Sequence, residues 1–403
     1  MKVLMFGWEF PPLSSGGLGT ACYGLTKGLS KKGVEVTFVL PSAAEINDVD
    51  FVKLVSANSI SNVKIKRISS ALKPYTTSDE YQRQVSKNPN LAKIYGSTLF
   101  EEVARYTLAA EKIAEEEDFD VIHCHDWMTF GAGIRAKRKK KKPLVLHVHA
   151  TELDRTGGHQ VNQYVYDMER YGMSKADKII AVSNFTKNKI VTHYGIRPEK
   201  IAVVHNAVDV PHHYNDENFE IRKNDKIVLF LGRVTLQKGP DYFVHAARKV
   251  LEREKNVKFV IAGTGDMEAR MIEKAAELGI SDKVLFAGFL HPDDVERAYK
   301  MADVYVMPSV SEPFGITALE AMKNKTSVIV SKQSGVSEVI RHCLKVDFWD
   351  VNEISNKIIA LLRYKPLHET LKENAYFEVG KFNWDVPAEK CIKVYNEVMR
   401  LNK

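Results

Sequence analysis

Short apolar, β-branched runs alternate along the chain with stretches in which apolar residues return every three or four positions. The runs predict strands at residues 2–6, 35–40, 121–123, 144–149, 178–182 and 201–204. A second series follows at 227–230, 258–261, 284–286, 304–307 and 327–330. Helical spacing falls on 21–32, 99–117, 160–174, 240–254, 267–278, 292–301, 316–323 and 386–401. Strands that are apolar almost throughout, separated by helices, indicate parallel sheets covered on both faces. Two such series predict an α/β chain of two doubly wound, Rossmann-like domains. The polar, aperiodic stretch 211–218 marks the break, giving domains at 1–209 and 210–383. Residues 43–98 are the least regular part, and 74–81 reads as a polar, aromatic loop over a sheet edge.

Composition agrees with that division. A chain of 403 residues exceeds one ordinary core and suits two domains of roughly 150–200 residues. The apolar and charged fractions, 44% and 27%, are those of a soluble globular protein. No apolar run approaches the roughly 20 residues that span a bilayer. The apolar start runs into Gly7-Trp8-Glu9 without a small-residue cleavage site, and so reads as a buried first strand. Cys22, Cys124, Cys343 and Cys391 form no Cys-x-x-Cys pair, which argues against structural zinc or a disulfide framework and for the cytoplasm. Seven of the residues from Arg135 to Lys142 are basic. They read as a solvated helix end and turn; the alternative is a surface for nucleic acid, anionic lipid or another subunit. No aromatic residues interleave with them, so nucleic acid is not an expected partner.

Candidate chemistry clusters after strands. Gly16, Gly17, Leu18 and Gly19 follow the first strand and lead into a helix, where free amides and a positive dipole end can meet an anion. The spacing is not G-x-G-x-x-G. In the second half, the strand at 227–230 leads to Gly232, Arg233 and Lys238, at the strand end where open α/β sheets bind ligands. Arg233 can fork onto phosphate oxygens and Lys238 can add a point charge. Glu312 and Glu320 flank Pro313, Phe314 and Gly315, with a helix expected from Ile316 or Thr317. The amides of Ile316 and Thr317 suit an anion. Glu320, one turn inside, suits a ribose diol, and Glu312 suits sugar hydroxyls.

Together Arg233, Lys238, Glu312 and Glu320 resemble the Arg-x4-Lys and Glu-x7-Glu signatures of retaining GT-B glycosyltransferases. The chain is similar over nearly its whole length to the glycogen and starch synthases and their neighbours. Trp8-Glu9-Phe10-Pro11-Pro12, the Gly16-to-Gly19 loop, His125-Asp126-Trp127 and Asn206-Ala207-Val208-Asp209 carry the resemblance. So do Gly263-Thr264-Gly265 and Gly335-Val336-Ser337-Glu338. The resemblance implies two domains facing across a cleft, with the helix at 386–401 crossing back onto the first domain. It implies a nucleoside-diphosphate sugar as donor, and glucose transfer from ADP- or UDP-glucose to the non-reducing end of an α-1,4-glucan. By the same matches, Arg233 and Lys238 hold the diphosphate, assisted by the first glycine loop and Thr317. Glu320 takes the ribose, Glu312 the sugar, His149 lies near the reacting carbon, Asp126 on the acceptor side, and Asn206 and Gly263 line the donor pocket. Starch synthases using ADP-glucose carry a lysine two residues before the glycine loop, where this chain has Ser14.

No Asp-x-Asp pair stands at a suitable strand end, and Asp293-Asp294 reads as a helix cap. No metal or cofactor is expected; Arg233, Lys238 and helix dipoles supply the charge stabilisation. The alternatives are a transferase acting on a lipid, a small molecule or another saccharide, at a membrane surface or as an oligomer, and a sugar-nucleotide epimerase.

Overall fold

The computed structural model describes residues 1–10, 16–42, 52–56, 63–69, 78–87, 98–209 and 225–402. Pro11, Pro12, Ser14, Tyr75 and the expected break at 211–218 lie outside them. In chain order the strands are β1 (Lys2–Phe6), β2 (Glu35–Ser42), β3 (Val52–Ser56), β4 (Val63–Ser69), β5 (Val121–His125), β6 (Leu144–Val148) and β7 (Lys178–Ala181). They continue with β8 (Ile201–Val203), β9 (Lys226–Leu231), β10 (Val257–Ala262), β11 (Val284–Gly288), β12 (Val304–Met307), β13 (Ser327–Ser331) and β14 (Leu344–Val346). The helices are α1 (Gly17–Lys31), α2 (Ser78–Lys87), α3 (Leu99–Glu116), α4 (Trp127–Lys140), α5 (Glu152–Arg155), α6 (Gln163–Lys175) and α7 (Asn184–Tyr194). After them come α8 (Pro240–Arg253), α9 (Glu268–Glu277), α10 (Pro292–Met301), α11 (Ile316–Lys323), α12 (Val351–Arg363), α13 (Lys365–Val379) and α14 (Asp385–Leu401).

The chain divides into two compact units. The first comprises Met1–Thr151, Asn162–Asn206 and Trp384–Lys403, the second Glu152–Val161 and Ala207–Asn383. The excursion Glu152–Val161, which sequence order assigns to the first domain, therefore clusters with the second.

In the first unit eight strands lie in the order β3-β4-β2-β1-β5-β6-β7-β8. The pairings are parallel except that of β3 with β4. Every residue of β5 and β6 is buried, as strands covered on both faces must be. The last helix, α14, packs on α1. Gly24 and Gly28 open a groove on α1 in which a Cβ would stand 2.0 Å from the Trp384 ring and 2.6 Å from the Trp384 carbonyl oxygen. Trp384 is thereby buried against a helix backbone, which only glycine permits at that separation. Tyr81, expected on an exposed loop, instead lies in α2 and is fully buried.

The second unit's sheet runs β11-β10-β9-β12-β13-β14, all parallel. Its core is built from Val228, Phe230, Phe259, Ile261, Val304, Val306 and Ile329 on the strands, with Phe243 and Val250 from α8. Helix α10 is capped by His291, with Pro292 next, so Asp293 and Asp294 fall in the first turn and not at the cap. In each sheet the order of the parallel strands reverses beside the first strand of the unit: between β1 and β5, and between β9 and β12. The carboxyl ends of the strands beside such a reversal are where open α/β sheets bind ligands. Among the described residues no helix is long and apolar enough to cross a membrane, and the four cysteines are free and buried.

Candidate active site

At the reversal in the second unit, the chain leaves β9 through Gly232 and Arg233, makes a single 3-10 turn at Leu236–Lys238, and enters α8 through Gly239. Gly239 has φ +65°, and a Cβ there would stand 2.2 Å from the Pro308 carbonyl oxygen. Glycine thus lets this loop lie against the loop leaving β12. That approach carries Lys238 to Glu312, with Nζ 2.6 Å from Oε2. Ser309 Oγ donates to the same oxygen at 3.3 Å. Glu312 is only 6% exposed, and a carboxylate so buried needs its cation. Arg233 donates to the Gln237 amide oxygen at 3.1 Å. Lys238 is thus held by a carboxylate, and the Arg233–Gln237 contact is one that an anionic ligand can outcompete.

Helix α11 starts behind Gly315, at φ +108°, and its leading amides fall outside the i→i−4 ladder. Thr317 Oγ1 accepts from Tyr305 at 2.9 Å. Glu320, one turn in, accepts from the Tyr299 hydroxyl at 3.2 Å. Burial pushes the Glu320 carboxyl up, against the opposing effects of the Tyr299 hydrogen bond and Lys323. Gly263 closes the loop after β10 onto the β9 loop, since a Cβ there would meet the Gly232 carbonyl oxygen at 2.0 Å. A cavity of about 10 Å³, room for one water, is lined by Lys238, Tyr305, Ser309, Glu312 and Thr317. Arg233, Lys238, Gly263, Glu312, Gly315, Ile316, Thr317 and Glu320 thus gather at the carboxyl ends of neighbouring strands.

The reversal in the first unit carries different groups. His123 and His125 project from one face of β5, and His147 and His149 from the same face of β6 and its end. His123 Nδ1 lies 2.5 Å from the Tyr395 hydroxyl on α14, and its Nε2 3.3 Å from His147 Nδ1. His125 Nδ1 lies 2.9 Å from His149 Nε2. The rings stack, His123 on His125 at 4.4 Å and His147 on His149 at 4.2 Å between centroids. Burial lowers His149 to about 3, and burial with the field of His149 lowers His123 to about 3. Burial and the neighbouring rings hold His125 and His147 well below the usual imidazole range. The lattice is therefore neutral at neutral pH. Two sets of its donor atoms lie close enough for a metal ion, Cys22 with His125 and His149, and His123 with His125 and His147. An ion there would have to displace the stacked, mutually bonded arrangement.

Asp126 occupies the turn from β5 into α4 at φ +59°, a conformation rare for a residue with a Cβ. Its Oδ1 accepts from the amides of His149 at 2.7 Å and Ala150 at 3.3 Å. The carboxylate expected beside an acceptor thus fixes the backbone that carries His149. Gly16 caps α1, Gly17 opens it, and Leu18 and Gly19 are buried. The Gly19 amide donates to Glu9 Oε2 at 2.9 Å, so an internal carboxylate already meets part of the helix start that the sequence offers to a phosphate. Asn206 is buried at the end of the unit's second segment.

Two buried acids are given no role of their own by the sequence. Glu9 is 1% exposed; its place between the buried aromatics Trp8 and Phe10 was the available signal. Asp154, fully buried, accepts from Ser311 Oγ at 2.5 Å. That bond ties the excursion Glu152–Val161 to the residue preceding Glu312, a long-range pairing that no local pattern announces.

A family model described as Glycosyl transferases group 1 matches residues 214–377, and one described as Glycosyltransferase Family 4 matches residues 15–211. The chain is 31% identical to an uncharacterized glycosyltransferase from Methanocaldococcus jannaschii over 100% of its own length and 99% of that protein. It is 25% identical to a glycogen synthase from Mycobacterium tuberculosis, over 84% of this chain and 80% of that one. It is 27% identical to a D-inositol 3-phosphate glycosyltransferase from Kribbella flavida, over 72% and 74%. Among solved structures, sucrose-phosphate synthase from Thermosynechococcus elongatus superposes with a TM-score of 0.79 at 20% identity, covering 99% of both chains. Anabaena HepE in complex with UDP and glucose gives 0.72 at 16%, covering 98% of this chain and 100% of that one.

Proposed function

Because this chain belongs to the group 1 glycosyltransferases, we propose that it transfers glucose, with retention of configuration, from ADP- or UDP-glucose to the non-reducing end of an α-1,4-glucan. The observation that carries the donor reading is the gathering of Arg233, Lys238, Glu312 and Glu320 around the strand-order reversal of the second unit. In this reading Arg233 leaves Gln237 for the diphosphate, and Lys238 bridges the leaving phosphate and Glu312. Charge developing on the leaving group is then met by cations already in place. Glu312, anchored by Lys238 and Ser309, presents its remaining lone pairs to the sugar hydroxyls, and Glu320 takes the ribose diol. His149, neutral and fixed by Asp126 through its backbone amide, supplies a hydrogen-bonding group without adding charge. Activity proceeds without a divalent metal.

Support for the acceptor comes from the likeness to glycogen synthase over 84% of this chain and from the Trp8-Glu9-Phe10 and His125-Asp126-Trp127 segments. A second reading, transfer to a small phosphorylated polyol, is supported by the D-inositol 3-phosphate glycosyltransferase relatives. The burial of Tyr81 favours it too, since that ring is not free to pack on a glucan. Purified protein incubated with labelled ADP- or UDP-glucose and either maltooligosaccharides or inositol phosphate separates the two. Chains lengthened by single, amylase-sensitive glucose units support the glucan. Efficient transfer to the polyol with no chain growth replaces it by the second reading, and release of neither nucleotide with any acceptor defeats both.

A further inference from the structure

The basic run is not one uniform surface. On α4, Arg135 and Lys139 lie at i and i+4 and turn toward α3, where Arg135 meets Glu111 at 2.7 Å and Lys139 meets Glu115 at 2.6 Å. Ile134, Lys137, Arg138 and Lys141 follow the i, i+3, i+4, i+7 stripe on another side, facing Tyr171 and Lys175 of α6. Between them lies a groove of about 510 Å³, lined by Ile134, Lys137, Arg138, Lys141, Lys142 and Tyr171 together with Lys175 and Asn402. The volume is that of a small-ligand site.

Among the described residues, five cations border this groove and no acidic side chain does. Lys137 is neutralised by Asp177 at 2.7 Å. Arg138, Lys141 and Lys142 form no ion pair with any described residue, and Lys175 sits over the half-exposed Tyr171 ring at 5.4 Å. Two helix carboxyl ends, those of α4 and α6, supply roughly half a negative charge each. Together they offset about one of the four remaining cations, so an excess of about three positive charges stays in one concavity. A solvated helix end does not need such convergence from two helices. Lys141 holds the left-handed conformation, φ +52°, that turns the chain back at the groove's edge. The site is also remote from the chemistry. Helix α4 leaves the strand end that carries Asp126 and runs about 21 Å before reaching Lys140.

We propose that this groove is a second binding site, which takes a phosphomonoester or diphosphate group through Arg138, Lys141, Lys142 and Lys175, with the Tyr171 ring packing on whatever bears the phosphate. The planar Arg138 fork and the three ammonium groups match the oxygens of a dianion, and Ile134 and Tyr171 give the rest of the ligand an apolar wall. The inference does not depend on the identity of donor or acceptor.

The test compares two double variants of the full chain that lose the same net charge: Arg138→Gln with Lys141→Gln in the groove, and Arg135→Gln with Lys139→Gln on the α3 side. Binding is measured to inorganic pyrophosphate by calorimetry, and to phosphatidylcholine vesicles with and without phosphatidic acid by co-sedimentation. Circular dichroism melting checks that each variant is folded. All four positions are at least partly exposed, so the fold is expected to persist. The expected result is binding in at least one arm that weakens about tenfold or more in the groove variant and less than about threefold in the other. Pyrophosphate binding alone identifies a soluble phosphorylated ligand. Binding only to vesicles containing phosphatidic acid identifies a lipid headgroup. No binding in either arm, or an equal loss in both variants, overturns the proposal, as does tighter binding to duplex RNA lost equally from both.

Discussion

Each unit has its own doubly wound sheet whose parallel strand order reverses beside its first strand, and the two furnish that reversal in opposite ways. In the second unit it holds charges in pairs or poised against neutral partners: Lys238 on Glu312, Arg233 on Gln237, Glu320 under Tyr299. In the first it holds four imidazoles kept neutral by burial and bonded to one another and to Tyr395. Under the proposed donor reading, a group that meets a diphosphate needs charge already in place, and the ion pair of Lys238 with Glu312 keeps a cation there. In the proposed acceptor reading, groups meeting neutral hydroxyls need directed hydrogen bonds without excess charge, and the neutral, mutually bonded imidazoles of the first unit suit that. One topology thus serves two electrostatic purposes through what each strand carries at its end.

The sharpest way to break this contrast is to remove the charge from the second unit. Lys238→Ala and Arg233→Ala should each lower turnover by roughly 30- to 5,000-fold, the equivalent of about 2–5 kcal/mol for a truncated charge-assisted contact. Lys238→Ala should have the larger effect, because it also leaves Glu312 buried without its cation. Steady-state kinetics with a nucleotide sugar measures both, and near-wild-type rates would move the diphosphate site elsewhere.

Acid should find the first unit's weakness. His123, His125, His147 and His149 titrate far lower when folded than when unfolded, so between pH about 6.5 and 3 the unfolded chain binds more protons. Stability contributed by their neutral forms is therefore complete above about pH 6.5. It falls as pH drops, by up to about 1.4 kcal/mol per histidine per pH unit. Denaturant midpoints measured from pH 7 to 5 should decline steeply. Replacing His123 by Gln should flatten the decline, and a flat profile in the parent would contradict the neutral lattice.

Smaller effects test the supports. Asp154→Ala should cost about 1–3 kcal/mol by leaving Ser311 without its buried acceptor, and it should disturb the neighbouring Glu312. Gly28→Ala should cost about 1–3 kcal/mol by overpacking α1 against Trp384 and Ala388. Thermal melts report both. Least of all should come from exhaustive EDTA treatment, which is expected to leave turnover unchanged. A collapse restored by magnesium or manganese would contradict stabilisation by Arg233 and Lys238 alone.

The periodic parts of the fold were legible because strands buried on both faces declare themselves as apolar runs. The strand pair β3 and β4 was not. Val63-Lys64-Ile65-Lys66 alternates apolar and polar instead of running apolar as the inner strands do, and β3 lies antiparallel at the sheet edge, where no continuous apolar signal is required. Strand β14 is three residues with Lys345 at its centre, so it gives no apolar run. Tyr81 was misplaced because its polar neighbours suggested a loop, whereas one face of α2 takes the ring inward. In the site, the positions of Arg233, Lys238 and Glu312 followed from turn residues at strand ends. Their mutual pairing did not, since it depends on Gly239 allowing two loops to touch. Asp126 stands out in the sequence through the His125-Asp126-Trp127 match; its hydrogen bonds to the amides of His149 and Ala150 accompany an unusual φ that the sequence does not display.

The return of Trp384 to α1 has a consequence for how the protein is made. The first unit lacks its closing helix until Ala207–Asn383 has been synthesised, which at about 5–20 residues per second takes roughly 10–35 s. Throughout that interval the groove at Gly24 and Gly28 and the bonding partner of His123 are missing. The part of the chain that emerges first is therefore the last to be completed, and the second unit's long segment has time to fold before it. A chain that stops before Trp384 lacks the helix that fills the groove at Gly24 and Gly28 and leaves His123 without the Tyr395 hydroxyl.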